Sequence, residues 1–532
     1  MEDDFLTIIL RARGPMLSSQ LARILVSEVG LSEDAARKRV QRGGKGITKL
    51  NHIIFPHRSR FVYLSEQYGS RKFFLALNKT LQDSGSIYFY ALQALAMRDN
   101  LMPKEHFKIA CGAPISQKKH VSAESVIERL IKSTIVNEVH IEGFGDYIVR
   151  CDELSYFPDD RTYALMRGRL LSERIALLAI KSWARNLGIV SYDKVETRED
   201  DNNKIPKVGT FNWDLAAPSY LFPMRQYKGN RVAPGFFVCD ICLNSQVTKD
   251  QLSAFVKKCT TLRNLTKVGS CLQVFVATSY DSEGFSLLKS EGIIPATPDS
   301  LFGEEVAEVL ISVSKLFINT ANLMTSHESI DRIFNSLSRV EGAASTLRGC
   351  LFEFMVAQIA NNYYPGYEQE MNRIVSDSLG RKAEIDVLAV SKKHEIVFIE
   401  CKGMSPLTNV DDSEVEKWIN ERIPVINSFI KTHSEWSRLP YRFELWTSGK
   451  ITEQAKTLID NKNTETSKYT INFLDGDELL KLVHESNDSG LIKSYKQHFI
   501  NHPLKEERKI QKRTLQKKIR DEARCLNIES EL

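Results

Sequence analysis

Three carboxylates and one lysine stand out because they lie in otherwise apolar segments between positions 348 and 403. Glu353 belongs to a helical pattern that has a wide apolar face. Asp386 and Glu400 each interrupt a short run rich in β-branched residues, which is typical of a buried strand. A charge in a core strand is costly unless it is paired or binds a cation. Together with Lys402, these side chains are therefore candidates for a chemical site.

The elements that must position them can be inferred from the spacing. Glu400 and Lys402 are two residues apart on one predicted strand, so their side chains face the same side. The polar segment 391–395 between the two predicted strands is short enough for a hairpin. A structural Glu–Lys pair, with Asp386 exposed at a strand end, is the alternative, because buried charges often pair for structural reasons. The presence of all four residues in this order favours a functional site.

The order of a helical Glu353, a strand Asp386 and a strand Glu400-x-Lys402 resembles the PD-(D/E)XK, or restriction-endonuclease-like, nuclease superfamily. The resemblance covers the C-terminal third of the chain, and Ile385 stands where the superfamily name has proline. It implies a catalytic nuclease domain over residues 323–500 that hydrolyses phosphodiester bonds.

The resemblance also implies roles for individual residues. Asp386 and Glu400 would be the main ligands of a Mg²⁺ ion, for which Mn²⁺ could substitute, since hard oxygen ligands select these metals. The backbone carbonyl of Cys401 would complete the protein ligands, and Glu353 would bind the metal directly or through water. Lys402 would activate the attacking water or stabilise the transition state.

Residues 160–322 repeat the order of elements predicted for the C-terminal region. The carboxylates of this middle region are Glu173 on a helix and Asp214 and Asp240 on strands. When the two regions are aligned by element, Asp240 matches Glu400 and Cys242 matches Lys402. A cysteine supplies neither the positive charge nor the reach of a lysine. We therefore predict a tandem duplication whose first copy is a degenerate nuclease domain; an unrelated α/β domain is the alternative.

Residues 1–70 contain three short predicted helices followed by a ribbon around Pro56–Ser59, an order that resembles the winged helix-turn-helix. In that fold the third helix enters the major groove of DNA. The candidate DNA-binding residues are Arg37, Lys38, Arg39, Gln41 and Arg42 on this helix and Arg58 in the wing. The basic residues would contact phosphates, and Gln41 or Arg42 could reach base edges. A solvated charged helix in a protein-binding module is the alternative.

Three further segments complete the predicted organisation. Residues 71–155 form a second, weaker winged-helix-like module, whose third helix has mixed charge and suits a structural or protein-contacting role. Residues 325–342 are polar and helical, as in a linker. Residues 501–532 form a basic helical tail, interpreted as a solvated helix, with phosphate contact as the alternative.

Composition limits the classes of protein that remain. A chain of 532 residues is too long for one core, and 42% hydrophobic with 26% charged residues is typical of globular domains. The net charge of +5 is mild, so any nucleic-acid surface must be local. Nine irregularly spaced cysteines, of which only Cys239 and Cys242 are close, predict reduced thiols in a cytoplasmic protein. No apolar run suits a membrane span and no phosphate-binding loop is present, so neither a membrane partner nor an intrinsic motor is expected.

These observations predict a multi-domain α/β (α+β) protein that acts as a metal-dependent DNA endonuclease. Its build without a motor favours a restriction or anti-phage defence effector. A DNA-binding regulator or assembly subunit that keeps the nuclease fold as a scaffold is the alternative, and an RNase is a further one. DNA is the expected partner; a partner protein that supplies a trigger or motor is left open. One active site per chain would favour a homodimer for cutting both strands.

Overall fold

The computed structural model describes residues 5–151, 160–200, 205–222, 224–228, 231–315, 333, 337, 343–404 and 408–500. The chain is mixed α/β with several separate sheets, as its composition and patterning predict. It forms two compact units, Met1–Ile318 and Asn319–Leu532. In the described ranges, no helix combines the length and apolarity needed to cross a membrane. The predicted basic tail, and all of the predicted linker helix except residues 333 and 337, lie outside the described residues.

The first unit begins with a small helical module closed by a three-stranded sheet. Its elements are α1 (Phe5–Arg13), β1 (Met16–Leu17), α2 (Ser18–Val29), α3 (Glu33–Arg42), β2 (Ile47–Leu50) and β3 (Phe61–Leu64), with 3₁₀ turns at Pro56–Arg58 and Ser65–Gln67. Strand β3 lies between β1 and β2 and is antiparallel to both. The Ser32 side chain caps α3 by accepting the N–H of Ala35.

The predicted ribbon around Pro56–Ser59 was placed wrongly at its start. The first strand of the ribbon is Ile47–Leu50, and Ile53 and Phe55 are buried in the core instead of lying on a strand. Strand β3 is buried on both faces: Val62 and Leu64 pack with α1, α2 and α3, whereas Phe61 and Tyr63 pack against the helices that follow. Strand β3 therefore contributes to both hydrophobic clusters.

A second module with the same sheet order follows. Its elements are α4 (Arg71–Asp83), α5 (Ile87–Ala96), β4 (Leu101–Pro103), α6 (Lys104–Ala110), α7 (Ala123–Lys132), β5 (Val136–Glu142) and β6 (Gly145–Arg150). Strand β6 lies between β4 and β5, as β3 lies between β1 and β2. The turn between β5 and β6 needs Gly143, whose φ of 84° falls in the left-handed region. The second module thus ends in a β-hairpin.

The rest of the first unit is built around a five-stranded sheet. Its elements are α8 (Asp160–Asn186), a 3₁₀ turn (Tyr192–Lys194), β7 (Glu196–Thr197), β8 (Lys207–Val208), β9 (Phe211–Asn212), β10 (Leu215–Ser219), β11 (Gln226–Lys228), β12 (Arg231–Ala233), β13 (Gly235–Val247), α9 (Lys249–Arg263), β14 (Cys271–Tyr280), α10 (Ser282–Ser290), β15 (Ile294–Ala296), α11 (Pro298–Phe302) and α12 (Glu304–Lys315). The strand order is β7-β10-β13-β14-β15. The last three strands are parallel, and β10 is antiparallel to both β13 and β7.

The second unit contains five strands in the same relative order and directions. Its elements are α13 (Ala343–Tyr363), β16 (Glu368–Ser376), β17 (Lys382–Val390), β18 (Ile396–Lys402), α14 (Asp412–Lys417), a π-helical turn (Trp418–Arg422), α15 (Ile423–Thr432), a 3₁₀ turn (Trp436–Arg438), β19 (Tyr441–Thr447), α16 (Glu453–Glu465), β20 (Thr470–Leu474), α17 (Gly476–Glu485), α18 (Ser489–Tyr495) and a π-helical turn (Lys496–Ile500). Strands β18, β19 and β20 are parallel, β17 is antiparallel to β18, and β16 to β17. Strand β16 was not anticipated.

The π-helical turn between α14 and α15 has an identifiable cause. Pro424 lacks an N–H, and in a regular helix its ring would clash with the carbonyl four residues earlier. A wider turn at Trp418–Arg422 relieves this clash and keeps the helix continuous into α15. The turn also buries the side chains of Trp418 and Arg422. The turn therefore places the cationic side chain of Arg422 in the interior of the second unit.

Candidate active site

Asp386 and Glu400 are brought together across two antiparallel strands. Val387 on β17 pairs with Ile399 on β18, and the two carboxylates are the next residues beyond this pair. Both residues are only 4% exposed. Asp386 Oδ2 accepts the backbone N–H of Cys401 at 2.8 Å. This hydrogen bond anchors the Asp386 carboxylate beside the strand that carries Glu400.

Two cations contact Glu400. Lys402 Nζ lies 3.2 Å from Glu400 Oε1, which agrees with the prediction that these side chains share a face. Arg422 Nη1, from the π-helical turn, donates to the same oxygen at 2.6 Å. Lys402 Nζ also donates to Glu414 Oε2 at 3.1 Å. A buried arginine and a partly exposed glutamate thus lie beside the predicted pair of Lys402 and Glu400.

The charges around Lys402 keep it protonated. Burial lowers its pKa, but the carboxylates of Glu400, Asp386 and Glu414 outweigh burial and the repulsion of Arg422, so the pKa is raised above its ordinary value. The lysine is therefore a fixed positive charge at neutral pH.

Asp386 experiences the opposite balance. Burial is the main cause that raises its pKa well above the ordinary value, and repulsion from Glu400 and Glu353 raises it further. Arg422 opposes this rise, and Glu384 adds to it. Glu384, two residues before Asp386 on the same strand, is fully buried. Negative charge is therefore concentrated around Asp386 in a way that a bound cation would relieve.

The position of Glu353 depends on the close approach of α13 to the end of β18. Glu353 lies on α13 and is 9% exposed. A Cβ atom at Gly403 would lie 2.6 Å from the carbonyl oxygen of Arg348 and 3.0 Å from Cα of Gly349. Only glycine at position 403 lets the helix pack this closely against the end of β18. The glycine after Lys402 was a usable sequence signal for this contact.

The donor chemistry and the charge fit a divalent cation of the magnesium type. The available side-chain ligands are carboxylate oxygens, which are hard ligands. The Cys401 thiol is not among them, because burial and the charge of Asp386 raise its pKa well above the ordinary value and keep it protonated. Its backbone carbonyl stays the predicted ligand. Over the described ranges, no three His, Cys, Asp or Glu side chains are already grouped as metal ligands.

The predicted carboxylates of the middle region are also brought together. Asp214 Oδ2 accepts the backbone N–H of Ile241 at 2.8 Å, and Asp240 accepts from Lys258 at 2.5 Å. Arg198 lies between two of the carboxylates: its Nη1 donates to Asp214 and its Nη2 to Glu173, each at 2.7 Å. The side chains of this cluster are almost fully buried. Cys239 and Cys242 are buried free thiols, as predicted.

The predicted DNA-binding residues are all exposed, but they occupy two different surfaces. A groove of about 1170 Å³ takes in Arg37, Gln41 and Arg58, whereas Lys38, Arg39 and Arg42 do not line it. Four further residues of the groove were missed from the sequence: Arg23, Lys49, His57 and Arg60. The lining holds five Lys or Arg residues against two acidic ones, Glu33 and Asp83.

The groove wall formed by residues 51–60 is held in place by polar contacts. Ser59 Oγ lies 3.0 Å from Ser18 Oγ and accepts the N–H of Ser19, which ties the loop to the start of α2. Arg60 Nη1 donates to the Asn51 carbonyl at 2.6 Å. His57 and Arg58 both have φ values in the left-handed region, 54° and 57°. Such strained backbone persists only where the surroundings hold it.

Comparisons with known proteins give no assignment. No protein-family model matches the chain, and no curated protein matches it significantly. A solved protein of unknown function, AF1548, aligns at 21% identity over 25% of this chain and 64% of its own, with a TM-score of 0.18. A structure of the restriction endonuclease FokI bound to DNA aligns at 11% identity over 84% of this chain and 77% of FokI, with a TM-score of 0.20. A second FokI structure aligns at 12% identity over 92% of this chain and 88% of FokI, with a TM-score of 0.19. These TM-scores are too low to support an assignment of function.

Proposed function

We propose that the chain is a metal-dependent DNA endonuclease. The observation that carries this proposal is the placement of the Asp386 and Glu400 carboxylates side by side, with Lys402 Nζ 3.2 Å from Glu400. A phosphodiester bond is hydrolysed when charge on a non-bridging oxygen is neutralised and a water is activated, and a bound divalent cation supplies both. The PD-(D/E)XK interpretation of this order of residues is part of the proposal.

Each residue has a role in this proposal. Asp386, Glu400 and the carbonyl of Cys401 hold the Mg²⁺ or Mn²⁺ ion, and Glu353 binds it directly or through water. Lys402 stabilises the negative charge that develops on the phosphate. Because its pKa is raised, Lys402 serves as a fixed charge and not as the group that removes a proton from water.

Two residues that the sequence did not suggest position the site. Arg422 donates to Glu400 at 2.6 Å and orients its carboxylate. Glu414 accepts from Lys402 at 3.1 Å and so shares its ammonium group with Glu400. Supporting contacts of this kind orient metal ligands and tune their charge. Neither residue is assigned a direct contact with the substrate.

The N-terminal module is proposed to bind DNA. The order α1-β1-α2-α3-β2-β3, with β3 in the middle of the sheet, supports the winged helix-turn-helix interpretation. The excess of three positive charges in the groove suits contacts with phosphates. Lys38, Arg39 and Arg42 lie outside the groove lining and supply the other basic surface of α3. The second module, residues 71–155, is proposed to be structural or protein-contacting.

The proposed domain scheme keeps a degenerate nuclease domain at 160–322 and a catalytic one at 323–500. The shared order and directions of the two five-stranded arrangements support this duplication.

A role as a restriction or anti-phage effector is proposed because the sequence holds no phosphate-binding loop for a motor of its own. A homodimer is proposed for cleavage of both strands.

Cleavage of defined substrates tests the proposal. Purified full-length protein is incubated with supercoiled plasmid, linear duplex, single-stranded DNA and single-stranded RNA, each with Mg²⁺, Mn²⁺ or EDTA. We expect metal-dependent nicking or cutting of duplex DNA that is lost in Asp386→Asn and Lys402→Ala. Lys393→Ala is the matched control, since Lys393 is an exposed lysine in the β17–β18 turn. Cleavage of RNA alone would favour the RNase alternative, and DNA binding without cleavage would favour the scaffold alternative.

A further inference from the structure

The middle region reproduces a specific hydrogen bond of the candidate active site. Asp214 lies just before β10 and accepts the N–H of Ile241 on β13 at 2.8 Å. Asp386 on β17 accepts the N–H of Cys401 on β18, also at 2.8 Å. In each case the donor is the residue after the strand carboxylate, Asp240 or Glu400. The correspondence therefore extends from strand order to single atoms.

The helix that follows the strand supplies a cation in both regions. Lys258 on α9 donates to Asp240 Oδ2 at 2.5 Å. Arg422, in the π-helical turn before α15, donates to Glu400 Oε1 at 2.6 Å. Lys258 is 1% exposed and also donates to the carbonyl of Ile109. These two cations hold the corresponding carboxylates in the same way.

Two differences separate the regions. Cys242 stands in the place of Lys402, and burial raises the pKa of its thiol to about 11, so that it is neutral at pH 7. Arg198, just after β7, places its guanidinium between Glu173 and Asp214 with both contacts at 2.7 Å. In the C-terminal region no arginine contact of this kind joins Asp386 to Glu353 among the described contacts, and burial, Glu400 and Glu353 together raise the pKa of Asp386.

We propose that Arg198 replaces the divalent cation in the middle region, which makes this region a permanently filled, metal-free copy of the catalytic site. The inference rests on the proposed function, because the cation it names is the one proposed for Asp386 and Glu400. A guanidinium group is always charged and binds two carboxylates through its planar fork. It therefore places a fixed positive charge between Glu173 and Asp214, where it occupies one oxygen of each carboxylate.

A purely structural ion pair is the competing explanation for Arg198. Arg169 Nε also lies 3.7 Å from Glu173 Oε1, and the N–H of Leu243 donates to the same oxygen. These contacts satisfy one side of Glu173 and leave Oε2, together with Asp214, to Arg198. Removing one member of a buried ion pair is strongly destabilising in either case. Only the cation-replacement proposal predicts that a divalent metal restores what the arginine supplied.

Thermal unfolding with and without metal separates the two explanations. All variants carry Asp386→Ala, so that the C-terminal site binds no metal. In EDTA, adding Arg198→Ala should lower the Tm; millimolar Mn²⁺ should then raise it by about 5 °C or more. Arg198→Lys, which keeps the charge, and Arg198→Ala with Asp214→Asn, which removes a ligand, should show no such response. An Arg198→Ala variant that Mn²⁺ does not stabilise overturns the proposal.

Counting bound Mn²⁺ by electron paramagnetic resonance keeps the test decisive if Arg198→Ala does not fold. Wild-type protein should bind Mn²⁺ at the C-terminal site, and Asp386→Ala with Arg198 intact should lose that ion. An ion that remains in Asp386→Ala and disappears on adding Asp214→Asn would show that the middle region binds metal in the presence of Arg198, which contradicts the proposal. Neither measurement depends on cleavage, so a wild-type protein that binds Mn²⁺ but cuts nothing would refute only the proposed function.

Discussion

Arg422 Nη1 donates to Glu400 Oε1 at 2.6 Å, and the two residues are 22 positions apart in the chain. The arginine is buried and its pKa is raised, since Glu400 and Asp386 outweigh the effect of burial. This contact makes Arg422 part of the site although no motif includes it. It also gives the π-helical turn a role, because that turn carries the arginine.

Arg422→Met should therefore lower cleavage without removing any proposed metal ligand. We expect a loss of about 10- to 100-fold in activity or in apparent metal affinity, the range typical of residues that orient metal ligands. Initial rates measured over a Mg²⁺ titration separate the two effects. Arg422→Lys should recover part of the activity, because the cation is kept and the planar fork is lost. An Arg422→Met variant with wild-type rates at all Mg²⁺ concentrations would exclude this positioning role.

Asp386→Asn should abolish cleavage and, in EDTA, raise the thermal stability. Burial and the neighbouring carboxylates raise the folded-state pKa of Asp386 above its unfolded value, so the stability it contributes is present below the unfolded pKa and is lost as pH rises through the folded pKa. Asparagine removes the charge and can still accept the N–H of Cys401. The Tm advantage of Asp386→Asn should thus be small at acidic pH and grow towards neutral pH.

Calorimetry of both proteins from pH 4.5 to 8 in EDTA tests this dependence on pH. Glu416→Gln is a matched control, because Glu416 is an exposed carboxylate on the same unit. A stability difference that shrinks as pH rises would contradict the sign argued here.

Lys402→Ala should reduce cleavage far more than it reduces stability, because the lysine is proposed to act on the phosphate in the transition state. We expect a loss of about 100-fold or more in kcat, comparable to the loss of one charge-stabilising donor. Since the pKa of Lys402 is raised, the lysine should stay protonated below pH 9. Any change of the wild-type rate with pH below pH 9 should therefore be the same in Lys402→Arg. A limb near neutral pH that moves in Lys402→Arg would assign proton transfer to this residue instead.

Arg58→Ala and Lys49→Ala should weaken DNA binding at low salt and reduce its dependence on salt. Each lost phosphate contact is expected to lower the slope of log Kd against log salt by about 0.9. Lys257→Ala removes an exposed charge away from the groove and serves as the control. Fluorescence anisotropy with duplex DNA at several NaCl concentrations gives the slopes. Equal slopes for wild type and both groove variants would place the DNA contacts on the Lys38, Arg39 and Arg42 surface instead.

Gly403→Ala should destabilise the second unit and reduce cleavage together. The added Cβ would lie 2.6 Å from the Arg348 carbonyl oxygen and from Phe352 Cβ, so α13 must move away from β18. Overpacking of this kind costs about 1–3 kcal/mol. Gly349→Ala, on α13, is the control, because the backbone there is helical and an added Cβ would have open space. A Gly403→Ala variant with wild-type Tm and activity would show that Glu353 does not depend on this close approach.

Much of the candidate site was predictable because its signals are local. The alternation of strand side chains placed Glu400 and Lys402 on one face, and a short polar segment predicted the β17–β18 hairpin. The shared order of elements in the two regions also paired Asp240 with Glu400. Strand β16 was missed, because its alternation is weak and it follows a polar turn.

The sequence by itself determined most of the elements and their order, the apolar segments that hold the carboxylates, and the charged helix α3. Only the tertiary structure decided which cation reaches which carboxylate. Arg422 and Arg198 lie 22 and 16 residues from the carboxylates Glu400 and Asp214, and Arg60 and Ser18 meet across 42 residues. Such contacts depend on how separate elements pack, and neither the helical nor the strand period carries information about them. The proposed difference between a site that binds a metal and a copy filled by an arginine depends on contacts of this kind.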